Sequence, residues 1–476
     1  MSLEKRYAKI SVIAILGFII FAIIFRWIGG DSFKVKDLES KMPDRTTVVG
    51  EIVINHPIKQ EFVSEYNSID TITVVSATYY RQNMGNLNVE ITDVNTGELL
   101  ARKTIPMSDF QDNENYDIKF DKPLTGVKGR HLAMTFSTND AVTGNAITLW
   151  YNNADKNASR KLYINGVETA GTLCFSQKVR VNLAFGRFYW MGVAGVIILM
   201  IAYAVNWCVK TKNGKQTIGG YLFWIVDTYK FLYKQLIARD FKTKYKRSFL
   251  GMCWSFLNPL LTMVVQYVVF STLFKSDIKN YPVYLLTGIV FFNFFSEAIT
   301  LGLMSITGNA SLITKVYVPK YIYPITRVLS SSINLLISMV PLIFVAIFVG
   351  TQLKVSTVLL VFSISCMIVF SIGITFMLSS AMVFFRDTQF LWGIISMIWM
   401  YATPIFYPES ILPDNMKWIH HMNPLYYFVK FSRIAIIDGV SPEPRMYTIC
   451  IGCALGSFII GALIFKNTQD KFALYL

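Results

Sequence analysis

The sequence predicts an α-helical polytopic membrane protein of about eight spans, with an inserted extracellular antiparallel β-sandwich of the jelly-roll type. The chain has 476 residues, of which 53% are apolar and only 16% are charged, whereas about a quarter of the residues in a soluble protein are charged. Long apolar runs flank residues 31–186, and within that stretch apolar and polar residues alternate. These observations indicate helices that cross a bilayer and a separate β-domain between the first two of them.

Eight apolar runs are long enough to be transmembrane helices. A spanning helix needs about 20 apolar residues, and runs with at most one charge occupy residues 10–28, 188–209, 253–274, 282–302, 328–350, 355–385, 388–408 and 446–465. We interpret the first run as a retained anchor and not a secretory signal, because Arg26 and Trp27 close its apolar core and the nearest small-x-small site, 30–32, suits cleavage poorly.

Basic residues set the predicted orientation of the spans. Residues 1–9 carry three bases and one acid, and residues 210–249 carry ten bases and two acids. Since short basic flanks stay in the cytoplasm, residues 31–186 are predicted outside and both termini inside. Residues 31–186 hold 19 acids and 17 bases, so the net charge of +15 belongs to the segments beside the spans. We therefore predict contact with membrane lipid and no binding of nucleic acid.

The stretch 31–186 reads as a β-domain. A period of two runs through 87–91, 132–136 and 147–151, and turn residues at 95–97, 144–145 and 165–166 separate such runs. Roughly nine or ten strands fit this pattern. The stretch contains one cysteine, so no disulfide can form within it. Four aromatic residues are candidates for stacking on sugars, although alternation puts some of them in the core: Tyr79, Tyr80, Trp150 and Tyr151.

A basic amphipathic helix is predicted before the third run. Five apolar residues recur at helical spacing, namely Tyr229, Leu232, Tyr233, Leu236 and Ile237. The basic candidates for an interface on this helix are Lys234, Arg239, Lys242, Lys246 and Arg247. Such a helix lies along the inner membrane surface with its rings at headgroup depth. A solvated linker helix is the alternative.

Three ordered blocks carry a resemblance to a known family. They are RDFKTKYKRSFLGMCWSFLNPLL at 239–261, YLLTGIVFFNFFSEAIT at 284–300 and NASLITKVYVPKYIYPI at 309–325. They resemble the permease subunits of bacterial ATP-binding-cassette exporters of the polysaccharide, O-antigen and teichoic-acid type. The resemblance covers residues 228–476, and the six runs from 253 to 465 match the six spans of the family. Residues 1–210 depart from the short family members.

The apolar runs, the β pattern and the resemblance together predict a domain scheme, and the resemblance implies a function. The scheme is a cytoplasmic tail and first span at 1–30, the outer β-sandwich at 31–186, a second span at 187–210, the interface helix at 211–252 and a six-span permease at 253–476. The implied function is the membrane subunit of an exporter that moves a lipid-linked polysaccharide or teichoic acid outward. The alternatives are a permease for another lipid-like or drug-like substrate and a secondary transporter, although no internal repeat of spans is visible.

The resemblance also implies a partner for this chain. The sequence lacks the phosphate-binding motif G-x-x-x-x-G-K-[ST], so ATP and magnesium are expected on a separate ATPase subunit, with two copies of this chain forming a homodimer. In the family a cytoplasmic coupling helix contacts the ATPase, and it maps to 309–320, ended by Pro319. Its candidates are Asn309, Leu312, Ile313, Lys315, Val316 and Lys320, with the lysines at the rim. An ordinary basic loop is the alternative.

The predicted substrate path is aromatic. The resemblance places an aromatic lining around the fifth permease span, and the candidates are Trp392, Trp399, Tyr401, Phe406 and Tyr407; an interfacial aromatic belt is the alternative. Glu297, the one acid inside a permease run, joins them because intramembrane carboxylates usually face the bundle interior or water. A structural ion pair is equally compatible. The histidines form no i, i+4 pair, so no metal site is predicted. No catalytic residue is predicted either, because the resemblance implies a transport subunit.

Overall fold

The computed structural model describes residues 3–155, 160–213, 217–246, 250–273, 278, 280–315 and 318–475. The chain divides into two compact units. The helical unit comprises Met1–Phe33 and Arg187–Leu476, and the β unit comprises Lys34–Gly186.

The β unit consists of two antiparallel sheets. Within the described residues it has thirteen strands: β1 (Val35–Glu39), β2 (Thr47–Val48), β3 (Ile58–Val63), β4 (Ser68–Ala77), β5 (Asn86–Asp93), β6 (Leu99–Pro106), β7 (Asn115–Thr125), β8 (His131–Ser137), β9 (Thr148–Asn152), β10 (Lys161–Ile164), β11 (Val167–Thr169), β12 (Thr172–Leu173) and β13 (Phe175–Asn182). One sheet has the order β1-β13-β4-β9-β12, with β7 beside β4 and β2 beside β9, and the other has the order β11-β10-β3-β8-β5-β6. The strands outnumber the nine or ten predicted because two- and three-residue strands are too short to show alternation.

The two sheets share one apolar core. Every second residue of β5 is buried, and the rings of Phe62 on β3 and Phe175 on β13 lie 5.2 Å apart, which joins one sheet to the other. The first and last strands pair with each other, with Val35 opposite Asn182. The chain therefore begins and ends this unit at one edge of one sheet.

The helical unit contains thirteen α-helices in its described part. They are α1 (Leu3–Gly29), α2 (Ala184–Lys212), α3 (Ile218–Tyr245), α4 (Cys253–Leu273), α5 (Tyr281–Leu303), α6 (Ala310–Ile313), α7 (Ile322–Phe348), α8 (Leu360–Phe384), α9 (Thr388–Ala402), α10 (Trp418–His421), α11 (Pro424–Arg433), α12 (Pro444–Thr468) and α13 (Phe472–Tyr475). A π-helical turn, Ile434–Asp438, continues α11.

Seven helices in the described residues are long and apolar enough to cross a membrane, whereas eight were predicted. They are α1, α2, α4, α5, α7, α8 with the turn before it, and α12 with the short helix after it. The run 388–408 forms only the 15-residue α9, which is about 22 Å long. The helix ends at Ala402, and the next residue, Thr403, has an extended ψ of 129°, because the proline that follows Thr403 disfavours helical backbone at the preceding residue.

The first two helices pack against each other and onto the rest of the helical unit. The Tyr189 hydroxyl on α2 donates to the carbonyl of Ala22 on α1 at 2.6 Å. Phe25 on α1 stacks edge-on against Tyr447 on α12, with ring centres 4.9 Å apart. Most side chains of α5 are buried, so α5 is the central helix around which α4, α7, α8 and α9 pack.

Candidate transport site

The apolar face of α3 packs on protein. Eight buried residues form a group that we name the helix-end cluster: Leu236, Ile306, Ile322, Tyr323, Phe376, Val383, Phe465 and Phe472. Leu236 comes from α3 itself, and Tyr229, Leu232 and Tyr233 pack against the cluster, so four of the five predicted apolar residues lie on this face. The helical spacing was therefore correct, but the face covers the ends of α7, α8 and α12.

The basic residues of α3 divide into exposed and paired side chains. Lys234, Lys242 and Lys246 are exposed. The Arg239 guanidinium lies 3.1 Å from the carboxylate of its neighbour Asp240. Arg247 lies outside the described residues.

Two ion pairs that sequence spacing did not reveal join α3 to the permease helices. The Asp240 side chain is only 7% exposed and lies 3.1 Å from Arg327 on α7. Lys244, near the end of α3, lies 2.7 Å from Glu297 on α5. In the sequence, Asp240 was the one residue that could have indicated such a pair, because it is one of only two acids among ten bases at 210–249.

Glu297 lies at the centre of a hydrogen-bonded group. Its carboxylate accepts from Lys244 Nζ at 2.7 and 2.8 Å and from Asn334 Nδ2 on α7 at 2.8 Å. The Tyr245 hydroxyl donates to Asn334 Oδ1 at 2.9 Å. The carboxylate is thus paired and hydrogen-bonded, which offsets the cost of placing it in a span.

A polar cavity of about 300 Å³ opens beside Glu297. Residues of α4, α5 and α7 contribute its polar wall, and they are Ser255, Asn258, Asn293, Asn334 and Ser338. The Trp254 indole also borders it. A second cavity of about 580 Å³ shares Lys244, Glu297 and Asn334 and extends to Arg239 and Arg327. We name the first the polar cavity; sequence reasoning missed its asparagines because each stands alone in an apolar run.

The predicted coupling segment is only partly helical. A 3-10 turn, Thr307–Asn309, leads into α6, which ends at Ile313 instead of reaching Pro319. Val318 is non-helical, as expected for a residue before proline. Leu312 and Ile313 are half-buried against the helix-end cluster.

The polar residues of this segment have different surroundings. Asn309 is buried and donates from Nδ2 to the carbonyl of Ser305 at 2.7 Å. Lys315 is exposed. Lys320 is half-buried, and its Nζ donates to the carbonyl of Gln469 at 2.6 Å and lies 5.9 Å from the centre of the Phe472 ring. Val316 lies outside the described residues.

The two predicted path tryptophans face the interior of the helical unit. Trp392 is buried and donates from Nε1 to Thr300 Oγ1 at 3.0 Å. Trp399 donates from Nε1 to Asn423 Oδ1 at 2.7 Å. Both rings pack edge-on against Phe295 of α5, with centres 5.9 and 5.0 Å away. The structure therefore places both tryptophans against the same residue of α5.

Among the other aromatic candidates, one exposes its ring. Phe406 is buried and stacks on Phe270 at 5.4 Å between ring centres. Tyr407 is half-buried and its hydroxyl donates to the carbonyl of Tyr401 at 2.8 Å. The Tyr401 side chain is 62% exposed. Tyr401 is therefore the one member of this predicted set with an accessible ring.

Arg433 fixes the segment that follows α9, and sequence reasoning did not single it out. It is the last residue of α11 and is buried. Its guanidinium donates to the carbonyls of Tyr284 at 3.0 Å, Pro404 at 2.7 Å and Ile405 at 3.2 Å. The guanidinium carbon also lies 3.3 Å from the centre of the Tyr284 ring. A positive charge is here satisfied by backbone carbonyls and an aromatic face.

Comparison with known proteins defines the class to which these helices belong. Residues 232–437 match the ABC-2 type transporter family. The chain is 30% identical over 256 residues to the O-antigen export system permease protein RfbA of Klebsiella pneumoniae, an alignment that covers 53% of this chain and 95% of that protein. The chain therefore belongs to the ABC-2 type transporter family, and the resemblance predicted from the three sequence blocks is confirmed.

Two further relatives each align with about half of the chain. The O-antigen export system permease protein RfbA of Myxococcus xanthus is 26% identical, covering 52% of this chain and 95% of that protein. The polysialic acid transport protein KpsM of Escherichia coli is 22% identical, covering 51% and 96%. The protein is thus a multi-pass transport component of the inner membrane. Its first 231 residues lie outside the family match.

Proposed function

We propose that this chain is the membrane subunit of an ATP-driven exporter that moves a lipid-linked cell-surface polysaccharide outward across the cytoplasmic membrane, as a homodimer. The observation that carries the proposal is an alignment that spans about half of this chain and nearly the whole length of permeases named for O-antigen export and polysialic acid transport. The test is deletion of this chain in its own cell. Loss of a surface glycan, with its lipid-linked precursor accumulating inside, supports the proposal, whereas unchanged surface glycan contradicts it.

The proposed topology places the β unit outside and both termini inside. The basic flanks of α1 and α3 support this orientation. The adjacent ends of the β unit suit a domain carried by two neighbouring spans, and α1 and α2 are in contact. In this scheme α9 and the segment fixed by Arg433 form the seventh of the eight crossings, between α8 and α12. Such irregular backbone is tolerated at membrane depth where protein groups satisfy it.

ATP hydrolysis is proposed on a separate subunit that contacts the segment around α6. Ser311 and Lys315 are exposed there, one helical turn apart, while Leu312 and Ile313 pack on this chain's own cluster. The docking contact is therefore assigned to the exposed residues. Replacing Leu312 with Asp would disrupt the packing of the helix-end cluster. A loss of ATPase binding in that variant could therefore not be attributed to the docking contact alone.

Replacing Lys315 with Glu is expected to weaken capture of the ATPase subunit by about tenfold, since the change reverses one charge at a contact rim. Lys315→Ala should have a smaller effect. The measurement is co-purification of the co-encoded ATPase at two salt concentrations, because a rim charge acts more strongly at low salt. Lys128→Glu, the same change at an exposed lysine of the β unit, is the control. Equal capture by both variants would remove Lys315 from the contact.

The β unit is proposed to recognise the emerging glycan, and the structure separates its aromatic candidates. Trp150 is half-buried and donates from Nε1 to Asn113 Oδ1 at 2.9 Å, and Tyr151 packs against the core. Tyr79 and Tyr80 are 43% and 90% exposed. Both tyrosines have φ of 57°, a left-handed conformation that is unfavourable for bulky residues.

The surrounding residues hold this strained turn in place. The Asp112 carboxylate accepts from the N–H of Thr78 at 2.6 Å, the Thr78 hydroxyl at 3.2 Å and the N–H of Tyr80 at 3.4 Å. Partial desolvation acts to raise the pKa of Asp112, but these donors outweigh it and hold the pKa below its usual value. Arg81 lies over the Tyr79 ring at 5.0 Å. Tyr80 is left with an exposed ring on a backbone that these contacts hold, which suits stacking on a sugar.

Tyr80→Ala is expected to weaken binding of the exported glycan to the purified full-length protein by about three- to tenfold, the size of one lost aromatic contact. Tyr80→Phe keeps the ring and should bind nearly as the unchanged protein does. Calorimetric titration in nanodiscs measures the affinity. Equal binding by all three proteins would assign the β unit a structural or partner-docking role.

A further inference from the structure

Two asparagine side chains are exposed on helices that are long and apolar enough to cross a membrane. Asn293 is the thirteenth of the 23 residues of α5, and Asn258 is the sixth of the 21 residues of α4. Both side chains are exposed to the surroundings of the protein. Among the described residues, neither amide has a hydrogen bond within the chain. An amide that faced hydrocarbon without a partner would cost several kcal/mol, on the order of 4–8 in alkane. Both asparagines therefore face water, a polar ligand or polar groups of a second copy of this chain.

Both asparagines border the polar cavity, whose other polar groups are already engaged. Asn334 donates to Glu297 and accepts from Tyr245, and the Ser338 hydroxyl donates to the carbonyl of Ser255 at 3.0 Å. These groups form a fixed rear wall. The amides of Asn258 and Asn293 remain available to a ligand, and each amide both donates and accepts hydrogen bonds.

The charges at this cavity cancel. Lys244 and Glu297 are the two charged residues among those that line it, and they pair with each other at 2.7 Å. The cavity consequently has no unpaired cation that would select a phosphate group. Hydroxyl groups, which also donate and accept, match amides and serines better than an anion does. The Trp254 indole, 45% exposed, adds an apolar surface of the kind that packs on the CH face of a sugar ring.

We infer that the polar cavity binds one uncharged sugar ring of the chain in transit, with Asn258 and Asn293 as hydrogen-bonding residues. The inference rests on the proposed function, and it assigns one sugar ring of the proposed polysaccharide substrate to this cavity. A volume of about 300 Å³ lies at the lower end of small-molecule sites, about 300–1,000 Å³, which suits a single ring. The site lies apart from Trp392 and Trp399, which pack against α5 from inside the bundle.

The test is replacement of each asparagine by leucine, a residue of similar size without hydrogen-bonding groups. Asn293→Leu and Asn258→Leu should each lower glycan affinity by about three- to tenfold, the worth of one or two neutral hydrogen bonds, and should slow export in cells. The yield of folded protein and capture of the ATPase should stay unchanged. Asn467→Leu, at an exposed position near the end of α12, is the matched control and should behave as the unchanged protein.

The binding probe is the exported glycan released from its lipid carrier by mild acid, titrated into the full-length protein in nanodiscs. Inorganic pyrophosphate is the competing probe. Binding of the released glycan that the leucine variants lose and pyrophosphate does not displace supports the inference. Binding of pyrophosphate in place of glycan, or leucine variants that bind and export normally, overturns it. In the latter case the proposed function stands, because that function is tested by loss of surface glycan when the whole chain is deleted.

Discussion

Arg433→Met is expected to cost the protein on the order of 3–5 kcal/mol of stability, because the carbonyl groups of three residues each lose a hydrogen bond from a buried cation at once. Methionine has a similar length and no polar atom. The carbonyls of Tyr284, Pro404 and Ile405 would then be left in an apolar setting without a hydrogen bond from this side chain. We expect little folded protein in membranes and early aggregation of what is extracted.

Arg433→Lys separates charge from geometry. A lysine keeps the positive charge but presents one ammonium group, whereas the planar guanidinium reaches carbonyls on two separate segments at once. We expect the lysine variant to recover only part of the lost stability. The measurement is the melting temperature of detergent-solubilised protein, followed by size-exclusion chromatography. Arg445→Met, at an exposed arginine at the start of α12, is the control. Melting of Arg433→Met at the temperature of that control would refute a stabilising role.

The expected effect is large because neighbouring tyrosines complete the same arrangement. The Tyr281 hydroxyl donates to the carbonyl of Phe406 at 2.6 Å, and the Tyr284 hydroxyl donates to those of Pro404 at 3.2 Å and Tyr407 at 2.8 Å. Side chains thus satisfy a stretch of backbone that is not helical. Irregular backbone persists at membrane depth only under this condition. Within this group, Arg433 donates hydrogen bonds both to a carbonyl of α5 and to carbonyls of the segment after α9.

Length and hydropathy predicted the long apolar helices well. A helix that crosses a bilayer needs a long apolar run to match the hydrocarbon core, and this requirement does not depend on which helices pack beside it. The end of α9 just before Thr403 could also have been predicted from the sequence, because Pro404 restricts the backbone of the residue before it. The shortest strands of the β unit could not be predicted from the sequence. A strand of two residues is too short to show alternation of apolar and polar residues, and only its pairing with a neighbouring strand defines it.

The site was harder to predict because it depends on contacts between distant residues. Asp240 meets Arg327, and Lys244 meets Glu297, across long stretches of chain. Spacing along one helix contains no information about such pairs. The composition of the fifth permease run likewise showed aromatic residues without showing which way they face. Trp392 and Trp399 pack on Phe295, whereas Tyr401 on the same helix is exposed.

Two glycines allow a close contact between α8 and α12. Gly373 of α8 meets α12 so closely that an added Cβ would overlap the backbone of Ser457 and Phe458. An added Cβ at Gly461 would overlap the backbone of Gly373 in turn. Small residues allow such an approach between membrane helices, where packing and hydrogen bonds replace the hydrophobic effect. The Ser457 hydroxyl donates to the carbonyl of Phe370 across this contact at 3.2 Å.

Gly373→Ala is therefore expected to destabilise the protein by about 3 kcal/mol, at the upper end of overpacking effects. The obstacle is backbone, which cannot rotate away as a flexible side chain does, so α8 and α12 must separate along their length. Gly456→Ala on α12 is the matched control, because a Cβ there meets no atom within 4 Å and alanine favours the helix. Melting temperatures in detergent should fall for Gly373→Ala and hold or rise for Gly456→Ala. Equal melting of the two variants would mean that α8 and α12 are not in backbone contact at Gly373.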